Sequence, residues 1–148
     1  MKNTVVVDLD GTIANLDHRL HLIAGDKPDW DEFYKLCDGD TVNEWAVDIL
    51  GALYSCNNNV VIVSARRDTE LTKTKLWLKK NNVVYDKIFL LRKDGDYTPD
   101  TELKKKWLYA EKGRKEDIIC VIDDRQKVVD MWRGEGLVCL QCYAWKEK

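Results

Sequence analysis

The sequence has no long apolar run. Nothing in it approaches the roughly 20 consecutive apolar residues of a membrane span, so a chain with no membrane association is expected. The N-terminus enters a β-branched run almost at once, without the apolar core of a signal peptide, and a cytoplasmic protein is expected. A charge bias is also lacking: 24 Lys and Arg stand against 26 Asp and Glu. A net charge of −2 excludes a global basic field for long nucleic acid, while leaving room for a local basic site. No internal repeat, low-complexity tract or long linker occurs. The cysteines do not form an even set. Cys37, Cys56, Cys120, Cys139 and Cys142 are scattered among apolar residues, as reduced core thiols are. Cys139 and Cys142 are nominally a CxxC pair, but VCLQC reads as a strand, on which i and i+3 point to opposite faces. His18 and His21 have helical spacing, yet no cysteine or third histidine sits beside them. Zinc is not expected there.

The 148 residues, 45% apolar and 34% charged, suit one soluble domain over 1–148 with a sizeable core. Short β-branched runs recur at Val5–Val7, Val60–Val63, Ile88–Leu91, Ile118–Ile122 and Leu137–Leu140, as buried parallel strands do. Helical stripes lie between them: Trp45, Ile49 and Leu53; Leu71, Thr74 and Leu78; Leu103, Trp107 and Ala110; Val128, Val129 and Trp132. Gly113 and Gly136 are placed as helix stops. Alternating strands and helices indicate an α/β fold, a Rossmann-like three-layer sandwich around a mostly parallel sheet. Residues 14–41 interrupt the pattern after the first strand. This polar and aromatic segment leaves the carboxyl end of a strand, where ligands sit in open α/β sheets, and reads as a small cap.

The first strand, TVVV, runs into Asp8 and Asp10 at i, i+2, followed by Gly11, which allows a sharp turn. The run IICVI ends likewise in Asp123 and Asp124. If the two strands are neighbours, four carboxylates gather at one sheet edge and repel unless a cation sits among them. Hard oxygen ligands favour Mg²⁺. One such pair alone would read equally well as turn or capping residues. Ser64 and Arg66 lie just past the apolar run Val60–Val63, where a hydroxyl and a guanidinium suit a phosphate. By themselves they would be a capping serine and a solvated arginine. Asp100 and Lys104 are i, i+4 in the favourable order for pairing on a helix.

In this order the four pieces resemble the haloacid dehalogenase superfamily of phosphotransferases: DxDGT at Asp8–Thr12, a hydroxyl at Ser64, a lysine at Lys104, and an acidic pair at Asp123–Asp124. Within it, IDDRQKVVDMWRGEGLVCLQ, the SxR of Ser64–Arg66 and the DxxxK of Asp100 and Lys104 look like the 3′-phosphatase domain of phage polynucleotide kinase–phosphatase. The resemblance runs from Val5 to about Gln141. It implies a nucleophile at Asp8 and a general acid–base at Asp10 with a raised pKa. It also implies Mg²⁺ held by Asp8, the Asp10 backbone, Asp123 and Asp124, and a phosphate donor at Ser64. Lys104 would balance charge, oriented by Asp100, and Arg19 and Arg66 would grip substrate. Backbone N–H groups at Leu9 through Gly11 would add donors.

No GxxxxGK[ST] occurs, so 5′ phosphorylation is not expected. The reading is a Mg²⁺-dependent phosphomonoesterase acting on 3′-phosphate at DNA or RNA ends. Alternatives are a 5′(3′)-mononucleotidase of the same superfamily and, further off, a non-catalytic phospho-acceptor or phosphate-binding domain. Arg19, Arg66, Arg67 and Arg92, with Trp30 and Tyr97, would supply a track for a polynucleotide. A separate kinase or ligase would complete an end-healing pathway. Oligomeric state is not legible.

Overall fold

Val5 and Val7 pack into one hydrophobic cluster and Val6 into another, because consecutive strand residues face opposite sides of a sheet. Both sides are covered, which is why the run is apolar throughout. The computed structural model describes residues 3–110 and 114–144. In chain order its elements are β1 (Thr4–Val7), β2 (Ala14–Asn15), α1 (Trp30–Lys35), β3 (Thr41–Val42), α2 (Glu44–Ser55), β4 (Asn59–Arg67), α3 (Leu71–Lys80), β5 (Lys87–Arg92), α4 (Asp100–Tyr109), β6 (Ile118–Asp123), α5 (Gln126–Gly134) and β7 (Cys139–Gln141). Short 3₁₀ turns join several of them.

Five strands form one sheet in the order β5-β4-β1-β6-β7, and each neighbouring pair is parallel. On one face Ala46 and Leu50 of α2 and Trp77 and Leu78 of α3 meet Val5, Val7, Val60 and Ile62. On the other, Trp107 and Leu108 of α4 and Val128, Val129 and Trp132 of α5 meet Val6, Val61, Val63 and Val121. The three-layer α/β architecture is therefore as the sequence indicates. From β1 the chain runs out to β4 and β5 under α2 and α3, then returns through α4 on the other face to β6 and β7, so the strand order reverses at β1. That arrangement opens a crevice at the carboxyl ends of the strands.

Two helices turn differently from their expected stripes. α2 buries Ala46 and Leu50, with Trp45 and Leu53 packed at the edge of the same core, and leaves Ile49 45% exposed. α4 buries Lys104 with Trp107 and Leu108, and Ala110 lies beyond its end. Carboxylates at the sheet edge draw the lysine inward, as described below. Gly136 closes α5 at φ +83°. Its N–H donates to Arg133 O, and the N–H of Leu137 donates to Trp132 O, a Schellman-type cap. Gly113 lies outside the described residues. Cys139 and Cys142 pack into different clusters on the two sides of the sheet.

Residues between β1 and α2 fold back on themselves. β2 and β3 pair antiparallel, and Leu16, Phe33 and Tyr34 form a small cluster with Leu20, Leu22 and Ile23. Among the described residues no helix is long and apolar enough to cross a membrane.

Candidate active site

The register of the sheet assembles the acids. Val7 of β1 sits opposite Ile122 of β6, so the next residues, Asp8 and Asp123, leave the sheet side by side. The N–H of Asp8 donates to Ile122 O at 2.9 Å. Carboxylate oxygens of Asp8, Asp123 and Asp124 lie within 4.8 Å of one another, and all three residues are buried. Thr12, itself fully buried, brings its hydroxyl 3.4 Å from both Asp8 Oδ2 and Asp124 Oδ1. Gly11 holds the turn at φ +82°, and a Cβ there would lie 2.1 Å from Asp124 Oδ2. Glycine is thus required twice, for conformation and for space.

Lys104 enters from α4. Its Nζ donates to Asp8 Oδ1 at 2.8 Å and to Asp123 Oδ2 at 2.9 Å. Asp123 also accepts from Trp132 Nε1 at 3.1 Å and from the backbone N–H of Asp124 at 2.8 Å. Burial, then the neighbouring charge of Asp123, raise the Asp8 pKa well above the usual carboxylate value against the pull of Lys104. The same two acids outweigh burial at Lys104 and raise its pKa. One ammonium against three clustered carboxylates leaves excess negative charge. With only hard oxygen donors in the cluster, the site fits Mg²⁺.

Asp10 is arranged otherwise. Arg19 Nη2 and Arg66 Nη2 each stand 2.7 Å from its Oδ1. Burial pushes Asp10 upward, but the guanidiniums of Arg66 and Arg19 prevail and bring it down to about 2. The raised pKa expected for this residue is therefore corrected: two cations outweigh the burial. Arg19 and Arg66 themselves are buried and do not line the adjoining cavity. The structure places both behind Asp10, where the sequence reading had them gripping substrate.

Behind them lies Asp40, which the sequence reading missed. It accepts from Arg19 Nε at 2.7 Å, Arg19 Nη2 at 2.8 Å and Arg66 Nη2 at 3.2 Å, with His18 Nε2 2.7 Å away. A buried acid facing two buried arginines is legible only when the segment after β1 is known to fold back onto β4. The expected Asp100–Lys104 pair does not form. Asp100 caps the N–H of Thr101 and pairs with Arg125, because Lys104 points to the sheet edge. Ser64 is buried on the cavity wall and accepts from the N–H of Arg66 at 3.1 Å. Gly11 N–H donates to Ala14 O and so is engaged within its own turn.

All of this opens onto a cavity of about 1160 Å³. Asp8, Asp10, Ser64, Lys104, Asp123 and Asp124 lie at one part of its wall; Trp30, Tyr34 and Arg67 lie at another. Arg92 also borders it, yet its donors go to the carbonyls of Ala65, Asp96 and Thr98. Tyr97 is 78% exposed at the rim.

A family model for the phosphatase domain of the polynucleotide kinase PNKP matches residues 2–144. The chain belongs to this family. It is a phosphatase of the haloacid dehalogenase superfamily. A chain in the Pnkp1/Rnl/Hen1 complex is 29% identical with a TM-score of 0.82, the match covering 99% of this chain and 48% of that one. A chain in the Pnkp1/Rnl/Hen1 RNA repair complex is 30% identical with a TM-score of 0.78, over 96% and 43%. The phosphatase thus spans about half the length of those chains. A predicted phosphatase from Clostridium acetobutylicum shares the fold at 14% identity and a TM-score of 0.64, over 95% of this chain and 84% of that one.

Proposed function

We propose that this phosphatase removes the 3′-phosphate from polynucleotide ends, with Mg²⁺ and through an aspartyl-phosphate on Asp8. The observation that carries the reading is the Asp8–Lys104–Asp123–Asp124 cluster opening into a cavity that extends to Trp30 and Arg67. Family membership supports the chemistry. Similar chains belong to an RNA repair complex, which supports the substrate class.

Asp8 attacks phosphorus and the terminal sugar oxygen leaves, which divides one difficult displacement into two easier ones. Asp8, the Asp10 backbone carbonyl, Asp123 and Asp124 would hold Mg²⁺, which would supply positive charge where two anions must approach. Lys104 balances charge on Asp8 and on the transferring group. The Ser64 hydroxyl donates to a phosphoryl oxygen. Asp10 gives a proton to the leaving oxygen, then takes one from the water that opens the aspartyl-phosphate. Arg19 and Arg66 hold it as an anion, ready for the second task. For the first, an incoming phosphate opposes the guanidiniums and raises its proton affinity.

Phosphate release from a 3′-phosphorylated oligonucleotide, a 3′-mononucleotide and a 5′-mononucleotide, each with and without Mg²⁺, tests the proposal. Preference for the oligonucleotide, lost in Asp8→Asn, is expected. Preference for mononucleotides would make the enzyme a nucleotidase instead.

A further inference from the structure

Arg67, the last residue of β4, stands apart from the arginines behind Asp10. At the usual strand rise it lies about 10 Å beyond Ser64, and both residues line the cavity. Its guanidinium rests 4.8 Å over the Tyr34 ring. Nη1 reaches Asp31 Oδ1 at 2.7 Å and Asp94 Oδ1 at 3.2 Å, whose side chains are 76% and 69% exposed. Nη2 is 3.5 Å from Glu70. Nε is buried without a hydrogen-bond partner.

Such a group is poised for an anion. A buried N–H lacking a partner is costly, and an exposed carboxylate holds an arginine weakly, because water and salt screen the pair. A phosphodiester entering from the cavity would displace Asp31 and Asp94 from Nη1, and the guanidinium turning toward it would bring Nε to a partner. Arg19, Arg66 and Arg92 lack this freedom, having short hydrogen bonds to buried acids or backbone carbonyls, whereas the buried acid beside Arg67, Glu70, is 3.5 Å away. Beside Arg67 the indole of Trp30 stacks on Tyr34 at 6.0 Å between ring centroids and remains 37% exposed on the cavity wall. It offers a surface for a base.

We propose that Arg67 is a subsite for the internucleotide phosphodiester next to the scissile 3′-phosphate, with Tyr34 beneath the guanidinium and Trp30 under a neighbouring base. It favours chains over mononucleotides. This rests on the phosphatase reading above and names the contact that would select its substrate.

The test is binding, which needs no turnover. Fluorescence anisotropy on Asp8→Asn protein compares a 3′-phosphorylated trinucleotide with the same trinucleotide carrying a neutral methylphosphonate at its last linkage. Neutralising that linkage is expected to weaken binding about tenfold or more, as loss of a charged hydrogen bond does. Arg67→Gln should weaken the native trinucleotide by a similar factor, abolish the penalty of the methylphosphonate, and leave competition by a 3′-mononucleotide unchanged. Arg67→Lys, which keeps charge but loses the Nε edge, should fall between. Equal losses for trinucleotide and mononucleotide, or a methylphosphonate penalty that persists in Arg67→Gln, would overturn the subsite. So would a methylphosphonate without effect on protein retaining Arg67, a comparison that needs no change at this position. The phosphatase reading fails separately, if the unaltered enzyme releases no phosphate from the 3′-phosphorylated trinucleotide.

Discussion

The Lys104 ammonium stands 2.8 Å from Asp8 Oδ1 across a sequence separation of 96 residues. It is also the link between Asp8 and Asp123. Lys104→Met should lower kcat by about 10²-fold or more, in line with loss of one preorganised charge-stabilising donor. Steady-state kinetics at saturating Mg²⁺ checks this. Retained far-UV circular dichroism would separate the effect from unfolding.

Asp40 should matter for stability out of proportion to its distance from the cavity. Replacing it by alanine leaves Arg19 and Arg66 buried with Asp10 as their remaining carboxylate partner. Breaking a buried ion network in this way costs about 3–5 kcal/mol. Urea unfolding of Asp40→Ala against the unaltered protein measures it. A loss under about 1 kcal/mol, the scale of an exposed pair, would show that water enters this network.

Gly11→Ala should act through Asp124. The new Cβ would lie 2.1 Å from Asp124 Oδ2, so the carboxylate must swing away. The expected result is weakened Mg²⁺ binding by titration calorimetry and loss of most activity. The backbone penalty at φ > 0 adds about 1–2 kcal/mol to the stability loss.

The thiols should divide by burial. Burial pushes Cys139 up to about 12 and Cys142 up to about 11, so both stay protonated, and poorly nucleophilic, well above neutral pH. Cys56 is exposed. Iodoacetamide at pH 8 should label Cys56 first and leave Cys139 and Cys142 unmodified in the folded protein. Peptide mass mapping reads the order, and labelling of all three at equal rates would contradict it.

The acids at the ends of β1 and β6 were legible because β-branched runs followed by paired carboxylates, at i, i+2 in one and adjacent in the other, are local patterns. Their convergence followed once the strands were taken as neighbours. Asp40 was not legible, since its partners come from residues 19 and 66 and depend on how the segment after β1 folds back. The same long-range packing turned Asp10 from an acid with raised pKa into one held near 2. Spacing alone made Lys104 a helix-surface partner of Asp100, because i, i+4 reports only what one helix offers itself, and it was the resemblance that implied its charge-balancing role. The pull of the sheet-edge carboxylates decided its direction. Arg67 was read only as one member of a polynucleotide track, and the fold placed it over Tyr34.

The position of β1 also bears on biosynthesis. This strand of four residues pairs with Asn59–Ile62 on one side and with Ile118–Ile122 on the other. Both contacts close long loops, which slows folding. A nascent chain therefore carries Asp8 well before Asp123 and Asp124, and the cluster around Lys104 cannot close until β6 has left the ribosome. Fragments truncated before Asp124 should be inert however long they are, and catalysis should switch on late and all at once as β6 pairs with β1.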